Sequence, residues 1–202
     1  MLTRLPLIIR ALIPGCTWRK KSAGKTIFLT FDDGPVPEVT PYVLEMLDEY
    51  GWKATFFCVG ENVQKYPELY EEILKRGHKT GIHTYNHLKG YSTSIDNYVE
   101  NVKKAAELID SKLFRPPYGR IRRRQRKELQ HMNYEIIMWD LLTQDYDKWQ
   151  TPENIMQRIK RHSRKGSIVL FHDSIKARNN MMASLPRAIE FWNEQGYQSG
   201  LL

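Results

Sequence analysis

Short apolar runs alternate with amphipathic segments along most of the chain, and this alternation limits the possible folds more than any other feature. Residues 26–31, 53–59 and 167–171 are apolar runs of strand length, whereas residues 43–50 and 98–109 repeat apolar side chains at helical spacing. Strands that alternate with helices pair in parallel through right-handed crossovers. Six or seven such units in 202 residues predict one barrel-like α/β domain, closed or incomplete.

Reactive side chains follow the ends of five of these runs. They are Asp32, Asp33, His83, Arg115, Asp140 and His172. Barrel folds of parallel strands place their active sites at the carboxyl ends of the strands. Five independent turns are a poor explanation for this pattern, so the sequence predicts a single site at this edge of the sheet.

The adjacent carboxylates Asp32 and Asp33 stand where the first apolar run meets a Gly-Pro turn. Adjacent residues at a strand end point in different directions, so one carboxylate is able to hold a metal while its neighbour faces a reactant. An ordinary surface turn is the alternative for these four residues alone, because Asp, Gly and Pro all suit turns.

Two histidines, His83 and His87, are four residues apart beside another strand end. Two imidazoles and one carboxylate make a three-ligand set that leaves a metal position open for water, as in catalytic zinc sites. The same set suits other divalent metals. Surface histidine pairs are common, so the metal interpretation depends on the carboxylates at the neighbouring strand end.

The cysteine content excludes two classes of small stabilised domain. The chain has only Cys16 and Cys58, which is too few for a disulfide framework, and neither belongs to a Cys-x-x-Cys motif typical of thiolate zinc sites. Cys58 lies within an apolar run and is expected to be a small buried side chain.

The formal net charge of +8 favours an anionic neighbour, such as a membrane surface, an acidic glycan or a nucleic acid. Part of this charge lies in the basic run 120–127. No recognised nucleic-acid motif accompanies the run. A solvated helix face is therefore the favoured interpretation, and a nucleic-acid patch is the alternative.

The N-terminal residues 1–24 need a separate interpretation. Their apolar stretch is interrupted by Pro6, Arg10 and Pro14, so it is too short and too broken to span a membrane or to make a convincing signal peptide. We expect an extension that packs on the domain or contacts a membrane surface. A cytoplasmic or peripheral-membrane location is favoured over secretion, and a monomer is expected.

Four motifs occur in order: Thr-Phe-Asp-Asp-Gly-Pro from Thr30, His-Thr-x-x-His from His83, Arg-Pro-Pro-Tyr-Gly from Arg115 and Leu-x-His-Asp from Leu170. Together they resemble the polysaccharide deacetylase family, the fourth carbohydrate esterase family, over residues 25–202. The resemblance implies a deformed (β/α) barrel of about seven parallel strands. It also implies a metal-dependent hydrolase that removes N-linked acetyl groups from an N-acetylated glycan or glycoconjugate.

The resemblance further implies a role for each matching residue. Asp33, His83 and His87 match the metal ligands, with zinc as the expected ion and cobalt, nickel or iron as alternatives. Asp32 matches the general base that takes a proton from the attacking water, and His172 matches the general acid that protonates the leaving amine.

Three more positions match residues that surround the reaction centre in the family. Arg115 matches the arginine that holds the base aspartate, since a guanidinium suits a carboxylate. The backbone N–H of Tyr118 matches a donor to the oxyanion, and Leu170 matches a side chain that lines the pocket for the acetyl methyl group.

One motif departs from the family pattern. The family carries an Asp-Trp pair whose aspartate orients the acid histidine and whose tryptophan walls the methyl pocket. The nearest match here is Asp145-Tyr146. Asp140 is a rival to Asp145 as the partner of His172, and tyrosine in place of tryptophan predicts a changed pocket floor.

Three other functions compete with an N-deacetylase. An O-acetyl esterase uses the same kind of site on an acetylated polysaccharide. A non-catalytic carbohydrate binder and a nucleic-acid binder that uses the basic run are the remaining alternatives. Trp149 and Tyr85 are candidates to stack on a sugar ring in either carbohydrate interpretation.

Overall fold

The computed structural model of the chain describes Pro6, Arg10, Ala11, residues 13–22 and residues 24–202. Within this part of the chain, nine short strands form one parallel sheet. The strands are β1 (Cys16–Thr17), β2 (Thr26–Asp32), β3 (Thr55–Cys58), β4 (Lys79–Ile82), β5 (Leu113–Phe114), β6 (Glu135–Ile137), β7 (Leu141–Leu142), β8 (Ser167–His172) and β9 (Gln198–Ser199).

The strand order is β1-β6-β5-β4-β3-β2-β8-β7, with β9 beside the start of β2. Helices connect the strands, which confirms the predicted parallel α/β fold. They are α1 (Thr40–Glu49), α2 (Gly60–Lys65), α3 (Pro67–Lys75), α4 (Ile95–Ala106), α5 (Arg123–His131), α6 (Pro152–His162) and α7 (Arg178–Glu194). The sequence predicted six or seven strand-helix units, and β1, β7 and the helix α2 escaped prediction because they are too brief to show periodicity.

The two faces of the sheet have different partners, and β2 shows why. Ile27, Leu29 and Phe31 alternate onto the face that packs against the helices in the main core. Phe28 points the other way, into a smaller cluster made by strand residues such as Phe57 together with the C-terminal residue of the chain. Both faces of the strand are therefore buried, which explains its nearly continuous apolar sequence.

The register of β2 and β8 aligns the residues that approach the carboxyl edge of the sheet. Thr30 pairs with Leu170, and Asp32 pairs with His172. Partners in a parallel pair lie on the same face of the sheet. Asp32 and His172, the last residues of β2 and β8, therefore bring a carboxylate and an imidazole side by side. The fold thus places the predicted base and acid on neighbouring strands.

The described part of the N-terminal region lies against the sheet. Cys16 and Thr17 pair with β6, the backbone N–H of Lys20 donates to the carbonyl of Gly166, and Arg19 forms an antiparallel bridge with Ser167. This segment therefore spans from β6 to the start of β8. The prediction for residues 1–24 also covers residues 1–5, 7–9, 12 and 23, which lie outside the described residues.

None of the helices in the described ranges is both long and apolar enough to cross a membrane.

The basic run was expected to be a solvated helix face, and only part of it is. Arg123, Arg124 and Lys127 are exposed on α5, whereas Gln125 and Arg126 are buried.

Asp140 is a structural anchor for the N-terminal region. Its buried carboxylate accepts hydrogen bonds from Arg10 (2.9 Å), from Arg164 (2.7 and 2.9 Å) and from the hydroxyl of Ser167 (2.8 Å). Arg10 is itself only 8% exposed. A buried carboxylate is tolerated when charged and polar donors surround it, and this network joins three separate segments of the chain.

The Asp140→Ala variant should lower the free energy of unfolding by about 3–5 kcal/mol, because it leaves the buried guanidinium of Arg10 without its carboxylate. Urea unfolding measures this loss. Asp48→Ala is the control, since Asp48 pairs with Arg76 at the surface, where its side chain is 41% exposed. That pair should contribute less than about 1 kcal/mol, and equal losses in the two variants would contradict the anchoring role.

Candidate active site

A cavity of about 730 Å³ opens at the carboxyl edge of the sheet. Eight of the predicted site residues line it, and Arg115 and Asp145 lie directly behind it. The eight are Asp32, Asp33, His83, His87, Tyr118, Tyr146, Leu170 and His172. The fold therefore gathers four of the five predicted strand-end groups into one place. The prediction was wrong for the fifth, Asp140, whose carboxylate binds Arg10, Arg164 and Ser167 instead.

A buried ion pair between Arg115 and Asp32 forms the floor of the site. One guanidinium nitrogen of Arg115 donates to Asp32 Oδ1 at 2.6 Å and also to the hydroxyl of Thr30 at 2.9 Å. Arg115 is completely buried, and Asp32 is 3% exposed. Burial lowers the pKa of Arg115 from its ordinary value, but the adjacent carboxylate favours the charged form.

The remaining contacts of Arg115 fix its guanidinium plane. Its Nε donates to the carbonyl of Ile137 at 3.3 Å, and its Nη2 donates to the carbonyl of Met138 at 3.1 Å. The aromatic ring of Phe57 lies 4.0 Å from the guanidinium carbon, in cation–π geometry. An arginine held on all sides in this way keeps the Asp32 carboxylate in one orientation.

Asp33, His83 and His87 bring their ligand atoms together at the mouth of the cavity. Asp33 Oδ1 lies 3.2 Å from Nε2 of His87 and 3.7 Å from Nε2 of His83. Within the described residues, these three form a group whose possible ligand atoms all lie within 4.8 Å of one another. One carboxylate and two imidazoles are the donor set that a catalytic zinc ion accepts, so the residues fit a divalent metal.

The hydrogen bonding of His83 suits it to a ligand role. Its Nδ1 lies 2.8 Å from the carbonyl of Arg115, which only accepts, so Nδ1 carries the proton and Nε2 is the lone-pair nitrogen. Burial lowers the pKa of His83 to about 4, which keeps the imidazole neutral. Burial opposes the charge of Asp33 too, but the surrounding histidines outweigh it and bring the pKa of Asp33 below its ordinary value.

Asp173 anchors the turn that carries Asp33. Its carboxylate accepts the backbone N–H of Gly34 at 3.1 Å and the hydroxyl of Thr40 at 2.7 Å. A Cβ on Gly34 would lie 1.9 Å from Asp173 Oδ2, so only glycine permits this approach. Burial raises the pKa of Asp173 to about 8. Its role is structural, in agreement with its contacts to the turn.

Asp145 is the aspartate that contacts His172. Its Oδ1 accepts from Nδ1 of His172 at 2.8 Å, and its Oδ2 accepts from the backbone N–H of the same residue at 2.8 Å. Burial disfavours the imidazolium, but the Asp145 carboxylate outweighs burial and raises the pKa of His172 to about 9. Asp140, the rival in the sequence analysis, belongs instead to the N-terminal anchor.

Several loops around the cavity have backbone conformations that are rare for residues with a side chain. Asp33, Thr84, His87 and Tyr118 have φ values of 83°, 63°, 55° and 60°. Each such conformation costs on the order of 1–3 kcal/mol and persists only where surrounding contacts enforce it. Asn62 supplies one of these contacts, because its side-chain amide donates to the Asp33 carbonyl at 2.8 Å.

The apolar side of the cavity combines Leu170 and Tyr146 with two residues that the sequence analysis did not select, Trp139 and Leu142. Tyr146 contacts His172 edge to face, with ring centroids 4.9 Å apart. Gly119 packs on Trp139 so closely that a Cβ would lie 2.3 Å from the indole ring. Trp139 thus belongs to the apolar cluster on which Tyr146, the residue in place of the family tryptophan, is packed.

Sequence reasoning missed several residues of the site. Thr30 lies two positions before Asp32 and therefore on the same face of β2, which was a usable signal for its contact with Arg115. Lys89, Arg120 and Lys176 also line the cavity, but nothing in their local sequence indicated it. The two candidate sugar-stacking residues, Trp149 and Tyr85, are not among the cavity-lining residues.

The His83→Ala variant should bind Zn²⁺ at least ~100-fold more weakly than the wild-type protein. Loss of a residue that only hydrogen-bonds a metal ligand already lowers metal affinity up to about 100-fold, and loss of the ligand itself should lower it at least as much. Isothermal titration of the metal-free protein with Zn²⁺ measures the affinity. His131→Ala is the matched control, since His131 lies at the exposed end of α5. Equal affinities in His83→Ala and the wild type would rule out this metal centre.

Comparisons with known proteins agree with the geometry. A family model described as polysaccharide deacetylase matches residues 19–137. A peptidoglycan-N-acetylglucosamine deacetylase of Bacillus cereus is 36% identical over 189 residues, which cover 90% of this chain and 88% of the relative.

Solved structures extend the similarity to the whole fold. The crystal structure of a peptidoglycan N-acetylglucosamine deacetylase has a TM-score of 0.90 and 29% identity, covering 98% of this chain and 95% of the other. A carbohydrate esterase family four pseudoenzyme from Bacillus anthracis has a TM-score of 0.83 and 27% identity, covering 94% of this chain and 68% of the other. The fold and the motifs lead to one conclusion: the chain belongs to the polysaccharide deacetylase family.

Proposed function

We propose that the protein is a metal-dependent N-deacetylase that removes acetyl groups from an N-acetylated glycan. The observation that carries this proposal is the convergence of three groups in one cavity: the Asp33–His83–His87 set, the Asp32–Arg115 pair and the His172–Asp145 pair. Amide hydrolysis by an activated water needs an electrophilic centre, a base and an acid, and the cavity offers a candidate for each.

Asp33, His83 and His87 are the residues that would hold the metal. Zinc is the first candidate, and cobalt, nickel or iron suit the same ligands. A divalent ion there would supply Lewis-acid polarisation of the acetamide carbonyl and a lowered pKa for bound water. His83 and His87 offer Nε2 lone pairs to it, and Asp33 offers Oδ1.

Asp32 is the proposed general base. Arg115 binds its Oδ1, and its Oδ2 lies 3.9 Å from Nε2 of His83, on the side of the ligand set. One oxygen is thus occupied by the guanidinium, while the other is directed to the place where water would be activated. The charge-assisted hydrogen bond from Arg115 holds Oδ1, so that Oδ2 is left to accept the water proton.

His172 is the proposed general acid. Its Nδ1–H donates to Asp145, which leaves Nε2 to carry the proton that the leaving amine needs. The pKa of about 9 keeps the imidazole protonated at neutral pH. An amine leaves far more readily after protonation, so an acid beside the scissile C–N bond completes the reaction.

The acetyl group would occupy the apolar side of the cavity. Leu170, Trp139, Leu142 and Tyr146 form a surface that suits a methyl group. The backbone N–H of Tyr118 is the proposed donor to the oxyanion, from a turn that borders the cavity. The peptidoglycan deacetylase names of the similar proteins make an N-acetylglucosamine polymer the first substrate to test.

A non-catalytic carbohydrate binder is the second candidate function, because one of the similar structures is described as a pseudoenzyme. This chain, however, carries an acidic or histidine side chain at each proposed metal, base and acid position, all on the same cavity. The complete set favours an enzyme. An O-acetyl esterase would use the same groups and differs only in the bond that is cleaved.

Acetate release tests the proposal. The metal-loaded wild-type protein should release acetate from N-acetylglucosamine oligomers or peptidoglycan, and a chelator should abolish this release. The Asp32→Asn variant should lower kcat by about 10²- to 10⁴-fold, because an amide does not accept the water proton. Asp48→Asn, a change at an exposed carboxylate of α1, should leave the rate unchanged.

Each result of that assay has a distinct meaning. Release from acetylated xylan alone would identify an O-acetyl esterase. Binding of the oligomers without any release would identify a carbohydrate binder. Activity that survives the chelator would eliminate the metal mechanism, and full activity in a correctly folded Asp32→Asn variant would eliminate Asp32 as the base.

The pH profile tests the acid. Since His172 donates a proton, kcat should fall as the pH rises through about 9, where its imidazolium deprotonates. Burial lowers the pKa of His172, and Asp145 is the largest of the carboxylates that raise it, ahead of Asp33 and Asp32. Asp145→Asn removes this contribution, so the alkaline limb should move to a lower pH. Asp147→Asn, the same change two residues away, should keep the limb near its original position, and an unmoved limb in Asp145→Asn would contradict the assignment.

A further inference from the structure

We propose that three cations at the rim of the cavity, Lys89, Arg120 and Lys176, select a glycan that carries carboxylate groups beside the N-acetylated sugar. This inference rests on the proposed deacetylase function and names the substrate class of the same site. It uses side chains that belong to none of the four sequence motifs.

The charges around the cavity are strongly unbalanced. Among its described lining residues, the carboxylates are Asp32 and Asp33, and both have other tasks. Asp32 is paired with Arg115, and Asp33 belongs to the ligand set. The three rim cations therefore face the substrate space without an acidic lining residue left to neutralise them.

Two of these cations are held on the aromatic residues that flank the reaction centre. The ammonium of Lys89 lies 5.4 Å from the ring centroid of Tyr118, whose ring contacts His87 at 4.7 Å. On the other side, the ammonium of Lys176 lies 5.4 Å from the ring centroid of Tyr146, next to His172. Cation–π contacts of this kind favour a fixed position for a flexible lysine side chain.

The wall that carries Lys89 is fixed by the basic run. Gln125 donates from its side-chain amide to the carbonyls of Gly90 (2.9 Å) and Thr93 (3.1 Å), and Arg122 donates to the carbonyl of Tyr91. Arg120, the first residue of the run, lines the cavity itself. The run thus builds one side of the substrate cavity, which gives its charge a function without any nucleic acid.

A neutral glycan offers only hydroxyl and acetamide groups, which accept hydrogen bonds from the three cations but do not neutralise their charge. A carboxylate beside an ammonium or guanidinium at the rim gains Coulomb attraction and charge-assisted hydrogen bonds. The net charge of +8 would add long-range attraction for an anionic polymer. A strand of N-acetylated sugars with regularly spaced carboxylates matches both features.

The test compares two oligomers that differ only in charge. One is a peptidoglycan strand fragment with free carboxylates, and the other is the same fragment with those carboxylates converted to neutral amides. The metal-loaded wild-type protein should deacetylate the carboxylate form with about 10-fold higher kcat/KM at low salt, a gain of two or three exposed ion pairs. The preference should shrink as the salt concentration rises, because exposed charges are screened.

Single variants locate the preference. Lys89→Gln and Lys176→Gln should each lower the carboxylate-to-amide ratio of kcat/KM about 3-fold. Lys148→Gln is the matched control, since the Lys148 ammonium also lies on an aromatic ring, that of Trp149 at 5.0 Å, but neither residue lines the cavity. The control should keep the wild-type ratio.

Several outcomes would overturn the inference. The first is an equal kcat/KM for the two oligomers. The second is a carboxylate-to-amide ratio of kcat/KM that falls as much in Lys148→Gln as in the two rim variants. The third is inhibition by N-acetylglucosamine 1-phosphate as strong as inhibition by the carboxylate oligomer, which would indicate a general anion site. If neither oligomer releases acetate, the proposed function fails, and the dissociation constants of the same two oligomers are then measured directly on the same proteins. A carboxylate preference that depends on Lys89 and Lys176 would still support the rim, and equal constants would reject it.

Discussion

The buried ion pair of Arg115 and Asp32 is the interaction on which the rest of the site depends. It brings together the ends of β2 and β5, and the further contacts of Arg115 reach the carbonyl of Ile137 at the end of β6 and that of Met138 just after it. A buried charge is tolerated only when every donor and acceptor is matched, so these strand ends have little freedom to move apart. The proposed metal ligands and the proposed acid lie around this fixed carboxylate.

The loops around this ion pair contain residues with strained backbone conformations, which neighbouring contacts stabilise. Asp33 and His87, both proposed ligands, have positive φ values, which are uncommon for residues other than glycine. The support comes from contacts such as the Asn62 amide on the Asp33 carbonyl and the Asp173 carboxylate on Gly34. Packing of the surrounding fold thus holds the proposed ligands close together.

The sequence was sufficient to predict the parallel fold and the family, because long apolar runs and ordered motifs are local signals. It also predicted which side chains would meet, since strand ends share one edge of the sheet. It was insufficient to choose between Asp140 and Asp145. Both follow buried strands, and only contacts distant in sequence, with Arg10 130 residues away and with Arg164 and Ser167, show that Asp140 is occupied. The positive φ values around the cavity arise from tertiary packing, and so does the position of Lys176 in the cavity wall. Neither leaves a pattern in the local sequence.

The distinction between motif and non-motif residues also bears on specificity. Asp32, Asp33 and the histidines can account for the chemistry of acetyl removal, but the same chemistry serves neutral and anionic glycans alike. Discrimination between those substrates must then come from the cavity walls outside the motifs. In this chain the walls contribute Lys89, Arg120 and Lys176, and a basic helix holds one wall in position. Discrimination between glycans should therefore follow the charge of this rim, while the rate of the chemical step follows the motif residues.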